Sequence, residues 1–252
     1  MPLQAATTKR INLKQHICLN ECLSPIIFDA SGTMFDTVKT GFSHIANYVW
    51  WQNKCMFSVT APQDVILFGD MAGYLYNKFT EVSLGIVITH VSQELAACFD
   101  NINAMLTPDE DAYKFINRSV HCYFLSEITQ NIPSYSIPRQ RWLNHPVKRQ
   151  LNYTIADFCR IFPLYQQTIR ENVEACSRYP NGMFTIEGCH QLEAYLQYMR
   201  LEAKKALLES EEHEYNPDYL LWRTFCELGG ENYFQRYLVE SYNYNINELE
   251  QC

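Results

Sequence analysis

The spacing of apolar positions changes near residue 150, and the change separates two kinds of structure. Between residues 35 and 51, apolar side chains recur every three or four positions, which predicts an amphipathic helix. Three short apolar runs rich in β-branched residues predict strands at 65–68, 82–88 and 119–125. A further helix is predicted at 92–105, and a short helical turn at 107–111. This first part therefore reads as a mixture of helices and strands.

Beyond residue 150 the pattern is helical throughout. Long amphipathic segments at 155–178 and 186–208 are separated by the turn at 179–182. Asn216-Pro217 caps a helix at 218–228, Gly229-Gly230 ends it, and a last helix runs through Tyr242 into a tail rich in Tyr and Asn. The predicted organisation is an N-terminal arm at 1–23, an α/β domain at 24–150 and a helical domain at 151–252 packed on it.

Composition excludes several classes of function. The chain has 252 residues, of which 47% are hydrophobic, as in an ordinary folded protein. Its 28 acidic and 20 basic residues give a net charge of −8, which disfavours non-specific attraction to nucleic acid or to an anionic membrane. No apolar run has the length of a signal peptide core or of a membrane span. These features predict a cytoplasmic protein that does not bind membranes.

The cysteines predict neither disulfides nor a zinc finger. Ten cysteines are scattered along the chain without a secretory signal, which favours reduced thiols buried as small apolar groups. His16, Cys18 and Cys22 lie close together, but no second ligand pair at zinc-finger spacing accompanies them. Metal binding at these three residues is therefore disfavoured.

The connection between the first two predicted strands is the stretch with most chemical character. The first strand stops at Gly69, which lacks the side chain that would obstruct a bound ligand. Asp70 follows it, and the aromatic turn contains Tyr74, Tyr76 and Asn77.

This stretch resembles the nucleotide-binding region of the nucleotidyltransferase (DNA polymerase β-like) superfamily, in which a strand ending in Gly-Ser precedes a strand that begins with Asp-hydrophobic-Asp. Gly69 matches the glycine, and Asp70 stands where the serine is expected. Glu81 and Ser83 stand at the positions of the two aspartates, and His121 stands where a third strand carries the third metal-binding acid. The resemblance implies an α/β (α+β) fold with a mixed sheet flanked by helices, followed by an all-helical region.

The segment after the third predicted strand extends this resemblance to a nucleotidyltransferase-like branch of tailed bacteriophages, over about residues 28–149. The positions that match it are Glu127, Tyr135, Ser136, Ile137, Trp142, Leu143 and Pro146, and Tyr74, Tyr76 and Asn77 suit the turn. The resemblance implies nucleotide-binding roles for Gly69, Asp70 and Tyr74 and a viral source, with the protein located in the virion or the host cytoplasm.

The substituted acids determine which activity is expected. Nucleotidyl transfer uses two divalent cations, and magnesium prefers carboxylate oxygens in octahedral geometry. Glu81 is able to bind a metal, whereas serine is uncharged and neutral histidine prefers softer metals. Asp70 places a negative charge where the family binds phosphate. The leading hypothesis is a catalytically inactive fold that serves as a binding or structural module, with a protein partner in a viral assembly or a homo-oligomer and no cofactor.

Two other functions remain open. The first is an active transferase that uses Asp70, Glu81 and Glu127 with Mg²⁺ or Mn²⁺ and a nucleoside triphosphate. The second is a haloacid dehalogenase-like phosphatase with Asp29 as nucleophile, because the segment Phe-Asp-Ala-Ser-Gly-Thr at 28–33 resembles the nucleophile loop of that family.

A local basic patch would be needed for nucleic acid to bind. Arg139, Arg141, Lys148 and Arg149 are candidate phosphate-binding residues, with Lys114 and Arg118 nearby in sequence and Tyr135 and Trp142 as aromatic neighbours. The alternative, which the acidic composition favours, is that these residues are surface charges engaged in salt bridges.

Overall fold

A computed structural model describes residues 13–57, 61–89, 91–99, 102–103 and 113–250. The chain divides into two compact units. A sheet unit comprises Cys18–Gln150, and a helical unit combines the N-terminal residues up to Ile17 with the chain from Leu151 onward. The predicted turn at 107–111 and four positions of the predicted helix at 92–105, namely 100, 101, 104 and 105, lie outside the described residues, and the helix described in this segment spans Gln93–Ala97.

The sheet unit is a six-stranded mixed sheet with helices, which confirms the coarse α+β class. The order across the sheet is β3-β4-β2-β1-β5-β6. Its elements are α1 (Asp36–Asn53), β1 (Asp64–Phe68), β2 (Val82–Val87), α2 (Gln93–Ala97), β3 (Lys114–Phe115), β4 (Arg118–Leu125), β5 (Ser134–Ser136) and β6 (Arg141–Asn144).

Strand direction and side-chain alternation define the two faces of this sheet. β1 runs antiparallel to β2 and β5, whereas β2 and β4 are parallel. Alternate residues of β2 and β4, such as Leu84 and Cys122, belong to one buried cluster with the apolar stripe of α1. α1 contributes Phe42 and Trp50 to this core. The residues that alternate with these along each strand, including Ser83 and His121, point to the opposite face of the sheet.

The described part of the helical unit contains the helices α3 (Ile155–Glu174), α4 (Ile186–Glu209), α5 (Pro217–Glu227) and α6 (Gly230–Glu250), and the first three begin after a residue whose side chain caps the helix. Thr154 and Asp157 form a reciprocal capping box at the start of α3. Asn216 caps α5, with Pro217 at its first position, as predicted. The expected tail after Tyr242 was wrong, because α6 continues through it to Glu250.

Buried polar side chains connect α6 to the turn that precedes α4. Asn245 is buried and donates to the carbonyl oxygens of Phe184 and Ser241, while the Tyr179 hydroxyl donates to its side-chain oxygen. The Ser241 hydroxyl accepts from the Phe184 amide. These bonds hold the turn before α4 against α6 and require α6 to extend past the predicted end.

The N-terminal segment of the helical unit is held by a buried charged cluster. His16 Nδ1 lies 2.7 Å from Glu227 Oε2, and Arg223 Nη2 donates to the His16 carbonyl oxygen at 2.5 Å. Arg223 Nε lies 3.5 Å from Glu227 Oε1. All three side chains are less than one-tenth exposed. Residues 13–17 therefore belong to the helical unit, while the rest of the predicted arm at 1–23, from Cys18, belongs to the sheet unit.

One local structure occurs in both units directly before a long helix. In the sheet unit, Phe28 forms an isolated bridge with Met34 before α1; in the helical unit, Arg178 bridges Phe184 before α4. Each loop contains a glycine at positive φ, Gly32 at 80° and Gly182 at 93°. The backbone hydrogen bonds that close the two loops also correspond. We refer to residues 28–34 and 178–184 as the helix-start loops.

No helix within the described part of the chain has the length and apolar character needed to cross a bilayer.

Candidate functional site

Strand register brings the family-matched positions to one edge of the sheet. Ser83 faces His121 on the parallel pair of β2 and β4, and it faces Phe68 on β1. Gly69 directly follows Phe68, and Glu81 directly precedes β2. The end of β1, the start of β2 and the first half of β4 therefore meet at what we call the Gly69 edge.

A side-chain contact at the Gly69 edge joins Glu81 to His121. Glu81 Oε2 lies 3.1 Å from His121 Nε2, with the His121 side chain 17% exposed and that of Glu81 59% exposed. Nε2 is itself buried and lacks the directed geometry of a hydrogen bond. The contact is therefore a close approach of two polar groups without hydrogen-bond geometry. It directs the Glu81 carboxylate towards a ring nitrogen.

Gly69 gives the backbone a conformation that other residues rarely adopt. Its φ is 74°, and a Cβ atom built there would meet no atom within 4 Å. Its amide donates to the Pro133 carbonyl oxygen, and Asp70–Ala72 then forms a 3₁₀ turn. The space beside Gly69 is open, and the approach of a ligand to this backbone stays a prediction.

Two residues hold the connection between β1 and β2 in place: Asn20, which sequence reasoning missed, and Arg118, which it named only as a basic residue near the candidate phosphate-binding patch. The Asn20 amide and side chain donate to the Tyr74 carbonyl oxygen, and the same side chain donates to that of Tyr76 at 2.6 Å. On the other side, Arg118 Nη1 donates to the carbonyl oxygens of Asn77 and Thr80 at 2.6 and 2.7 Å. The signal available in the sequence was weak, because isolated Asn and Arg residues carry no motif.

Burial changes the ionisation of two groups around this connection. It raises the pKa of the Tyr76 hydroxyl to about 12, so the hydroxyl stays protonated at neutral pH. It lowers the pKa of the Arg118 guanidinium, which still remains charged because arginine ionises so strongly. Arg118 thus places a permanent positive charge against the backbone that leads to Glu81.

The face of the sheet that carries Ser83 and His121 is closely packed towards its centre. The rings of Phe68 and Tyr123 meet edge to face at 5.7 Å across β2. A Cβ atom on Gly85 would lie 2.5 Å from Leu125 Cδ1 and 2.8 Å from Ile66 Cγ1. Glycine at this position allows the flanking side chains to meet over β2, whereas the position beside Gly69 is open.

The candidate phosphate-binding residues have varied surroundings. Arg139 Nε lies 3.5 Å from Oδ2 of the buried Asp64, whose other oxygen accepts from Ser136 Oγ. Lys148 forms an ion pair with Glu21. Arg141 is exposed in β6, and Arg149 is half-buried. Arg139 and Lys148 therefore already contact carboxylates, as the salt-bridge alternative expects.

Glu127 does not share the Gly69 edge. β2 and β4 are parallel, with Val82 facing Val120 at one end and Val87 facing Leu125 at the other. Glu81 precedes the first of these pairs and Glu127 follows the second. At about 3.3 Å per residue, the two carboxylates are separated by roughly the length of a strand. This geometry gives no support to a metal site composed of Asp70, Glu81 and Glu127.

Asp29 lies in the first helix-start loop and outside the sheet. Its Oδ1 atom accepts from Ser31 N at 2.8 Å, Ser31 Oγ at 2.6 Å and Thr33 N at 3.0 Å. The Ser31 hydroxyl, followed by the Thr33 amide, lowers the pKa of this exposed carboxyl group. Asp29 stabilises its own loop, and the phosphatase hypothesis stays a prediction without geometric support.

Within the residues that the structure describes, no three His, Cys, Asp or Glu side chains are grouped so as to hold a metal ion. This includes the trio His16, Cys18 and Cys22, as well as Glu81 with its neighbours at the Gly69 edge.

No protein-family model, curated protein or solved structure matches the chain. The chemistry of the Gly69 edge therefore rests on its own residues. A carboxylate, an imidazole and a hydroxyl lie beside open backbone, an arrangement with hydrogen-bonding capacity but with a single carboxylate at the three family-matched positions.

Proposed function

We propose that this protein is a catalytically degenerate nucleotidyltransferase-fold protein that acts as a binding or structural module. The observation that carries the proposal is the register of β2 and β4. It brings Ser83 and His121 face to face at the strand positions where the resemblance expects metal-binding acids. Glu81, the one carboxylate at these three positions, points at His121 Nε2.

The chemistry of these side chains argues against two-metal catalysis at this edge. Two bound divalent cations need several hard oxygen ligands, usually bridging carboxylates. Ser83 offers a neutral hydroxyl, and protonation of His121 would add a positive charge where the cations should lie. Asp70 repels a triphosphate that approaches the open backbone at Gly69. The edge retains the shape for a ligand but not the charge that transfer requires.

Calorimetric titration tests this proposal directly. The protein is titrated with ATP, GTP, CTP and UTP in Mg²⁺ and in Mn²⁺, alongside Glu81→Ala and a control, Glu202→Ala, at an exposed position of the helical unit. We expect no metal-dependent nucleotide binding by any of the three proteins. Metal-dependent binding that is lost in Glu81→Ala but kept in Glu202→Ala would overturn the proposal and call for transfer assays with labelled nucleotide.

The module we propose acts through a protein partner, either another component of a viral assembly or a second copy of the chain. The phage-like segment at 127–146 supports a viral assembly, located in the virion or the host cytoplasm. Light scattering after size-exclusion chromatography distinguishes a homo-oligomer from a monomer that awaits another partner. A monomer that also retains no protein from infected-cell extracts would contradict this part of the proposal.

A further inference from the structure

We propose that the exposed face of α1 binds single-stranded nucleic acid through stacked aromatic side chains. α1 packs its apolar stripe on the sheet face opposite Ser83 and His121, so this surface is separate from the Gly69 edge. The proposal is independent of whether the Gly69 edge binds nucleotides.

Two large aromatic side chains stand in solvent on this face. Trp51 is 66% exposed and Tyr48 is 54% exposed, although Trp is on average among the well-buried residues. His44 is also exposed, and the three residues follow at the four- and three-residue spacing that places side chains on one stripe of a helix. Neighbouring stripe positions have Cβ atoms about 5–6 Å apart, which suits rings that receive successive bases.

Contacts on the same face orient the rings. Lys54 Nζ lies over one face of the Trp51 ring, 3.4 Å from its centre, so a base that stacks on Trp51 uses the other face and has a positive charge close by. Gln52 Nε2 donates to the Tyr48 hydroxyl at 2.8 Å, and the Tyr113 ring packs against Tyr48 at 5.9 Å. On this one surface, the aromatic rings are suited to stack with bases, and the ammonium group and nearby amides are suited to bind phosphates.

The charge along this part of the chain complements a polyanion. From Thr37 to Gln63 the sequence contains Lys39 and Lys54 and no acidic residue, although acids outnumber bases in the whole chain. Asp36, at the start of α1, accepts a hydrogen bond from Gln140. A helix without acidic residues along its exposed stripe is what an otherwise acidic protein requires to approach phosphate groups.

The side-chain types favour nucleic acid over a protein helix as the occupant. From Thr37 to Gln52 the exposed side chains of α1 are Thr37, Thr40, His44, Asn47, Tyr48, Trp51 and Gln52. None is aliphatic, whereas a groove that receives an amphipathic helix is lined with apolar residues. Flat rings between hydroxyl and amide groups instead suit bases, which stack without regard to sequence.

Fluorescence anisotropy with labelled oligothymidylate and oligouridylate tests the proposal on the full chain. Trp51→Ala and Tyr48→Ala should each weaken binding about tenfold, Trp51→Phe should retain most of it, and Lys54→Gln should reduce its salt dependence. Tyr198→Ala removes a ring that is 57% exposed in the helical unit and should leave affinity unchanged. The melting temperature of each variant confirms folding, since the substituted side chains face solvent.

Two results would overturn the proposal. In the first, the wild-type chain binds neither oligonucleotide at low salt, and a change of oligomeric state in Trp51→Ala would then assign the face to a protein contact. In the second, Trp51→Ala binds oligonucleotide as tightly as Tyr198→Ala does. Quenching of Trp51 fluorescence by oligonucleotide, absent in Trp51→Ala, would support stacking directly.

Discussion

Ser83 and His121 face each other across the parallel strands β2 and β4. Their side chains project to the same side of the sheet, together with Glu81, which lies two positions before Ser83. The three positions therefore form one cluster even though they do not carry the acids that the resemblance expects. If the site derives from a two-metal site, replacing these three residues with metal-binding side chains should restore cation binding, and this can be tested.

Aspartates at all three positions should create a divalent cation site. We expect the combined variant Glu81→Asp, Ser83→Asp and His121→Asp to bind Mn²⁺ at least about tenfold more tightly than the wild type, because three carboxylates then converge at one strand end. Electron paramagnetic resonance of free Mn²⁺ measures the gain. Added Mn²⁺ should also raise the melting temperature of this variant, since binding stabilises the folded state.

A matched control places the same kinds of substitution at Glu202, Thr129 and His44, which are exposed in three different segments. Equal Mn²⁺ affinity in the two triple variants would show that the added negative charge alone causes binding. The strand register would then not contribute by bringing the three carboxylates together.

Gly85 should not tolerate a methyl group. Gly85→Ala would force its Cβ against Leu125 and Ile66, and we expect a loss of about 1–3 kcal/mol of stability from overpacking. Chemical denaturation of wild type and variant measures the difference. Gly73→Ala is the control, because its Cβ would have no neighbour closer than 3.6 Å at a φ of −115°. Equal stability of the two variants would show that the strands shift to accommodate the methyl.

Glu227→Gln should strongly destabilise the helical unit. The substitution removes the negative charge that His16 and Arg223 share in a buried cluster, and loss of one partner of such a group costs about 3–5 kcal/mol. Urea denaturation followed by circular dichroism measures the shift in midpoint. Glu21→Gln breaks the more exposed pair with Lys148 and should cost less than about 1 kcal/mol. Comparable losses in the two variants would argue against a structural role for the buried cluster.

Cys122 should resist alkylation at pH 8 while the exposed cysteines react. Burial against the sheet core raises the pKa of its thiol to about 12, so almost no reactive thiolate forms in the folded protein. Cys22, Cys55 and Cys159 are exposed. Mass spectrometry after a timed pulse of iodoacetamide measures each site, and denaturant should make Cys122 reactive.

The raised pKa of Cys122 also has a consequence for stability. The unfolded chain ionises this thiol near its ordinary value, whereas the folded chain keeps it neutral. The stabilising contribution is therefore complete below the unfolded pKa and declines as the pH rises from there towards about 12. A Cys122→Ala variant should lack this alkaline decline, and an identical pH profile in both proteins would contradict it.

Elements with clear periodicity could be predicted from the sequence, and short ones could not. The helix predicted at 35–51 is Asp36–Asn53, because its buried stripe repeats over several turns. Ser134–Ser136 and Arg141–Asn144 were not predicted as strands, since segments of this length hold too few alternations to reveal a period. The end of α6 depends on Asn245 and Ser241, whose partners lie in another element.

Contacts between residues that are distant in sequence limit how much of the candidate site can be predicted from the sequence. The sequence predicts a relationship between Gly69 and the strand positions of Ser83 and His121 only through a resemblance, and the strand register then shows that these positions are neighbours. No pattern connected Asn20 to Tyr74 and Tyr76, or His16 to Glu227, since these pairs are fixed only when the units fold.

The two helix-start loops indicate that a few neighbouring residues determine the local structure at the start of a helix. Asp29 accepts from the backbone two and four positions later, whereas Asn181 accepts from Met183, so different side chains support the same bridge and glycine turn. One loop precedes a helix that packs on a sheet, and the other precedes a helix that packs on helices. The loop forms before helices that pack against different kinds of structure. It is therefore suited to starting a helix in an unrelated designed protein.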